Sequence, residues 1–236
     1  ALYVPGGAQP RTYRLSFEGS ETVSIVPVEA HSGHYMAWSN RADESKARLT
    51  RAFDLTGVSR ATLRFWTWYH LEEGWDYAYV TVSTDGGARW APLAGPRMTT
   101  NDPHSNAYGP GYTGRSGGWV EEIIDLSPYA GQEILLRFEY ITDDAMTQPG
   151  LVVDDIRIPE IGYSEDFERG DGGGQSEGWL RMDNRLPQSF LVQVVQPGAA
   201  DRPVTRLLGP GDVPQGEWTI TVGGQDWNSL SSFLIN

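Results

Sequence analysis

The chain has 236 residues, enough for one large β-sandwich or for a medium and a small domain. Its 31 acidic and 18 basic side chains leave a formal net charge of -13, which argues against nucleic acid and anionic membrane surfaces as partners. There is no cysteine, so disulfides and thiolate metal sites are excluded, and no apolar run approaches the roughly 18 residues of a membrane-spanning helix.

High Gly and Pro, with apolar residues drawn from Val, Ile, Leu, Tyr and Trp, favour strands joined by tight turns. In chain order, strands are predicted at 13–17 (YRLSF), 22–28, 34–39 (HYMAWS), 47–55 and 61–71 (ATLRFWTWYHL). Others follow at 77–83 (YAYVTVS), 118–126, 133–142 and 151–158 (LVVDDIRI). No helical period runs beyond about two turns. Strands separated by recurrent turns predict an all-β, antiparallel sandwich of the jelly-roll type over 1–160. The stretch 159–178 is then rich in Gly and acid and reads as a boundary or crossing loop that trypsin should cut near Arg169. Short strands at 190–196, 203–208, 217–222 and 231–235 predict a small β-domain over 161–236. Without a basic and apolar leader, the chain reads as a mature product or as part of something longer.

Several short patterns invite chemistry. In STDGGARW (83–90), Asp85-Gly86 predicts a type I′ hairpin, and the stretch resembles an Asp-box with Arg89 where Thr is usual. Both are structural devices. GRSGG (114–118) matches G-x-S-x-G but lies in a loop before a strand, whereas a nucleophile elbow needs a strand before it and a helix after it. HSGH (31–34) has no carboxylate at a metal-ligand spacing, and H-E-x-x-H does not occur. Glu72 and Glu73 are adjacent, and adjacent strand residues face opposite ways, so they do not form a glycosidase pair with each other. RGD (169–171) falls in the Gly-rich loop, and three letters alone assign nothing. No nucleophile system is assembled, so the chain is read as not an enzyme.

Larger blocks are more telling. RAFDLTGVSRATLRFWTWYHLEEGWDYAYVTVSTDGGARW, GYTGRSGGWVEEIIDLSPYAGQEILLRFEYITDD and GLVVDDIRIPEIGY occur in that order. Together they resemble the β-sandwich behind the catalytic domain of immune inhibitor A-like secreted bacterial metallopeptidases, which is itself similar to the MAM domain. SFEG (16–19), SGHYMAW (32–38) and VDDIRI (153–158) match the MAM pattern, although the MAM cysteines are missing. The resemblance implies a MAM-like, extracellular accessory region of a zinc peptidase, partnered by the parent's catalytic domain or by an extracellular protein or glycan. Peptidase activity does not carry over, because the catalytic part is absent. The alternative is a carbohydrate-binding or adhesive extracellular module. For that reading Trp66 and Trp68, on one face of 61–71, are the candidate ligand face, unless loops cap them.

A structural calcium ion is also expected. In 151–158, Asp154 shares a face with Val152, Ile156 and Ile158 and therefore points toward the core, where an unpaired carboxylate is costly. A jelly roll sets first and last strands side by side, which brings Glu18 toward Asp154 and Asp155, and the MAM resemblance adds Asp43. Carboxylates from three segments suit a hard ion taking six to eight oxygens. Backbone N–H groups or an Arg are the other way to hold Asp154. Glu73, Asp76, Asp143 and Asp144 form a possible second site or a solvated rim.

Overall fold

The computed structural model describes residues 11–190, 192–196, 204–207, 215–222 and 232–235. In chain order the strands are β1 (Arg11–Glu18), β2 (Thr22–Ser24), β3 (Met36–Trp38), β4 (Lys46–Asp54), β5 (Thr62–His70), β6 (Tyr77–Ser83), β7 (Ala91–Pro92), β8 (Val120–Asp125) and β9 (Glu133–Ile141). They continue as β10 (Gly150–Ile158), β11 (Tyr163–Glu165), β12 (Gln175–Glu177), β13 (Leu180–Met182), β14 (Arg185–Pro187), β15 (Val192–Gln196), β16 (Val204–Leu207), β17 (Gln215–Val222) and β18 (Ser232–Ile235). The only helical pieces among the described residues are single 3-10 turns at Ser127–Tyr129 and Pro159–Ile161. The chain is all-β, and its paired strands run antiparallel throughout.

Contacts divide the chain into one unit of 25–184 and another of 1–24 with 185–236. The larger unit is the sandwich. One sheet runs β13-β3-β10-β5-β8, with β11 also paired to β10, and the other runs β12-β4-β9-β6-β7. Alternation sets the core: Ile134, Leu136, Phe138 and Tyr140 of β9 turn inward against Leu63, Phe65 and Tyr69 of β5. Phe65 meets Phe138 edge-on, with centroids 5.0 Å apart. The smaller unit pairs β1 with β17 and β2 with β14, and adds a three-stranded sheet β16-β15-β18.

The boundary expected at 160 differs from this division at both ends. Leu15 of YRLSF lies opposite Trp218, so the first strand belongs with the C-terminal region. The segment after 160 supplies β11, β12 and β13, which complete the edges of both sandwich sheets. The reason is pairing: three-residue strands set in a Gly-rich stretch satisfy exposed edges, and composition does not report that. A trypsin cut at Arg169 should therefore leave two fragments that co-migrate in native gel filtration and part only in denaturant. Separation without denaturant would show that β12 and β13 are dispensable.

The turn at 83–90 also differs from expectation. Positive φ falls on Gly86 (72°) and Gly87 (93°) and not on Asp85, and β7 resumes only at Ala91. Instead of a two-residue turn, Asp85 organises a longer fold-back. Its Oδ1 accepts from the Ser83 hydroxyl (2.8 Å) and the Arg89 N–H (2.9 Å), while Trp90 Nε1 donates to the Gly87 carbonyl. The Asp-box resemblance describes this loop better than the hairpin rule.

Candidate functional site

At the end of β5 the chain makes a tight turn, with the Asp76 N–H donating to the Glu72 carbonyl at 3.0 Å and Gly74 at φ 78°. The four-residue spacing returns the Asp76 side chain to the same side as Glu72. The loop after β9 adds Asp143. Carboxylate oxygens of Glu72, Asp76 and Asp143 lie within 4.8 Å of one another, and among the described residues this is the one group of three acid, His or Cys ligands so gathered. Asp76 is fully buried. Its Oδ2 accepts from the Tyr140 hydroxyl at 3.0 Å and its Oδ1 from the Asp143 N–H at 3.1 Å. Burial still pushes its pKa up to about 6, and the charges of Asp143 and Glu72 push the same way. Glu72 is raised by burial and then by Asp143.

Of the second set expected from sequence, Asp76 and Asp143 meet. Glu73 is exposed and lines a polar cleft of about 500 Å3 with His70, Glu72, Thr113, Arg115 and Gln148. Asp144 is exposed beside Asp143 and outside the group. Glu72 takes the place assigned to Glu73, because 71–76 is a turn and not a strand end. The E-x-x-x-D spacing around Gly74 was the available signal.

The first expected set does not gather. Asp154 is fully buried, but its Oδ2 accepts from the N–H groups of His31 (2.9 Å) and Ser32 (3.2 Å), and its Oδ1 from the Asp155 N–H (2.7 Å). Desolvation nevertheless raises it to about 6. Asp155 sits at φ 50° in the β10 irregularity, 2.7 Å from His31 Nδ1 and 2.9 Å from Arg157. Burial opposes its charge, yet the hydrogen bonds from His31, Ser32 and Arg157 prevail and lower its pKa. Backbone donors thus hold Asp154, the other of the two expectations. Asp43 is used elsewhere, accepting from the Thr147 hydroxyl. Glu18 lies in β1 of the other unit, opposite Gln215.

The Trp66/Trp68 face is closed. Trp68 packs with Val26, Met36, Trp38, Val152 and Met182 in a second core on the outer side of its sheet. The His31 ring stacks on Trp66 at 4.0 Å, and Trp119, anchored through Nε1 to the Glu29 carbonyl, meets His31 edge-on. Segment 25–31 is the cap, so these tryptophans present no platform.

Comparison with known proteins agrees with this architecture. The family model described as "Immune inhibitor A-like, MAM domain" matches residues 7–176. "Pre-pro-metalloprotease PrtV" of Vibrio cholerae serotype O1 is 33% identical over 165 residues, which is 70% of this chain and 17% of the relative. "Immune inhibitor A" of Bacillus thuringiensis subsp. alesti is 25% identical over 165 residues, 68% of this chain and 22% of that protein. "Bacillopeptidase F" of Bacillus subtilis matches at 33% over 98 residues, 42% of this chain and 6% of its own length. The chain thus spans about a fifth or less of these curated relatives. On a family match over most of its sandwich, the chain belongs to the immune inhibitor A-like MAM domain family.

Proposed function

We propose that the chain is the non-catalytic, calcium-stabilised accessory sandwich of a secreted metallopeptidase, bracing the catalytic domain or engaging its substrate. Family membership supports the accessory role, and the acidic group at Glu72, Asp76 and Asp143 supports the ion. A buried carboxylate beside two of like charge is an unfavourable arrangement that a hard divalent cation reverses. These three side chains are the ones that would hold it. The cation supports the loops after β5 and β9 and takes no part in chemistry. An extracellular location fits a relative named as a pre-pro form. No helix among the described residues is long and apolar enough to cross a membrane.

The test is thermal unfolding in calcium and in chelator. At about ten times Kd, calcium should add roughly 1.4 kcal/mol to wild type and nothing to Asp76→Asn. Equal midpoints for wild type in calcium and chelator would remove the calcium from this reading. Metal-dependent casein cleavage by the pure chain would remove the non-catalytic role.

A further inference from the structure

Residues 169–171 read Arg-Gly-Asp, and the sandwich pins the chain on both sides of them. Before the tripeptide, Phe167 buries its ring in the core at φ 58°. Glu168 Oε1 accepts from the N–H groups of His34 and Tyr35, both at 2.7 Å. The Arg181 guanidinium donates to the carbonyls of Phe167 and Glu168. After the tripeptide, β12 is paired with β4 from Gln175 onward. Between these anchors, Gly170, Gly172 and Gly173 stand at φ 153°, 73° and 65°, values that favour glycine, so the turn has a defined shape.

The charges in this turn are unevenly used. Glu165 accepts from the Phe167 N–H, Asp166 from the Glu168 N–H, and Asp171 through Oδ1 from the Gly173 N–H at 3.0 Å. Each neighbouring carboxylate thus has a local task. Arg169, in a chain of net charge -13, makes no hydrogen bond or ion pair among the described residues and is exposed. Asp171 is exposed too, with Oδ2 left over. A guanidinium and a carboxylate, one glycine apart on a pinned turn, form a two-ended target. Acidic groups read the first end, and a partner-bound divalent cation reads the second, since hard cations take carboxylate oxygens.

We propose that this turn is an adhesion site for a metal-dependent cell-surface receptor of the class that reads Arg-Gly-Asp. The receptor supplies the divalent ion that Asp171 ligates and the acidic pocket that accepts Arg169. Pinning on both sides reduces the ordering entropy that a free peptide loses on binding. The site lies on the loop between β11 and β12 and does not depend on the acidic group at Asp76.

The experiment is binding of purified fibronectin-receptor integrin to the immobilised full chain in manganese. Saturable binding is expected, competed by the linear peptide Gly-Arg-Gly-Asp-Ser and not by its Glu counterpart. Asp171→Glu and Arg169→Ala should each weaken binding by at least about tenfold, with thermal midpoints equal to wild type. Asp76→Asn should leave it unchanged, which separates this site from the calcium reading. Absence of binding in manganese, failure of the peptide to compete, or undiminished binding by Asp171→Glu would overturn the proposal.

Discussion

Asn184→Ala is expected to destabilise the sandwich by on the order of 3–5 kcal/mol. Asn184 is 1% exposed and uses its whole amide to tie down the cap over Trp68. Oδ1 accepts from the N–H groups of Ile25 (2.9 Å) and Val26 (2.8 Å), while Nδ2 donates to the carbonyls of Val26 (2.9 Å) and Val28 (2.6 Å). Alanine removes all four bonds at once, leaving backbone groups unpaired beside a closed apolar cluster. It also places a residue less suited than Asn at φ 60°. Asn184→Asp keeps the acceptor but sets a buried carboxylate oxygen against the carbonyls of Val26 and Val28, so at neutral pH it should lose at least as much as alanine. Leu186→Ala, two residues on and 52% exposed, should stay within about 0.5 kcal/mol. Urea unfolding followed by tryptophan fluorescence measures all three. A loss below that of Leu186→Ala would show that the cap over 25–28 needs no tie.

Glu122→Gln should stabilise the protein by about 2–3 kcal/mol at pH 8 and by almost nothing near pH 4. Glu122 is fully buried on β8. Its Oε1 accepts from the Arg97 N–H at 3.0 Å, whereas Oε2 and the Tyr112 hydroxyl are both buried without a well-formed hydrogen bond. Desolvation raises its pKa from 4.5 to about 7, against smaller opposing effects of Arg97 and Tyr112. The sign follows from proton counting. Between those two values the folded chain holds a proton that the unfolded chain has released, so stability falls as pH rises from 4.5 to about 7. Glutamine keeps the shape and does not titrate, so the gap between variant and wild type opens across that window. Urea midpoints at several pH values test this, and a pH-independent gap would mean that burial leaves Glu122 at its unfolded pKa. Asp76 and Asp154, both raised to about 6, slope in the same direction in the absence of metal, so the difference between proteins isolates Glu122.

Strand content, the alternating core of β9 and family membership were legible in the sequence, because period-two patterning and blocks of ordered motifs are local in the chain. The burial of Asp154 was legible, but its side of the sheet was not. It lies opposite Trp66 on the outer face with Val152, and the irregularity after it turns Ile156 and Ile158 to the main core. What neutralises Asp154 was not legible either: the N–H groups of His31 and Ser32 lie 123 and 122 residues away, on the segment before β3 that folds over the sheet. Trp66 and Trp68 were read correctly as sharing a face, but that face became a second core because segment 25–31, tied by Asn184, folds over it. The acidic group was half legible: Asp76 and Asp143 stood out, while the choice of Glu72 over Glu73 depended on the turn at Gly74. Likewise the pairing of Leu15 with Trp218 joins the two ends of the chain, and no local composition announces it. Sequence by itself determined which residues favour strands and which face each presents. Tertiary structure decided which of those faces and carboxylates meet, because burial and hydrogen-bond satisfaction are properties of segments remote in the chain.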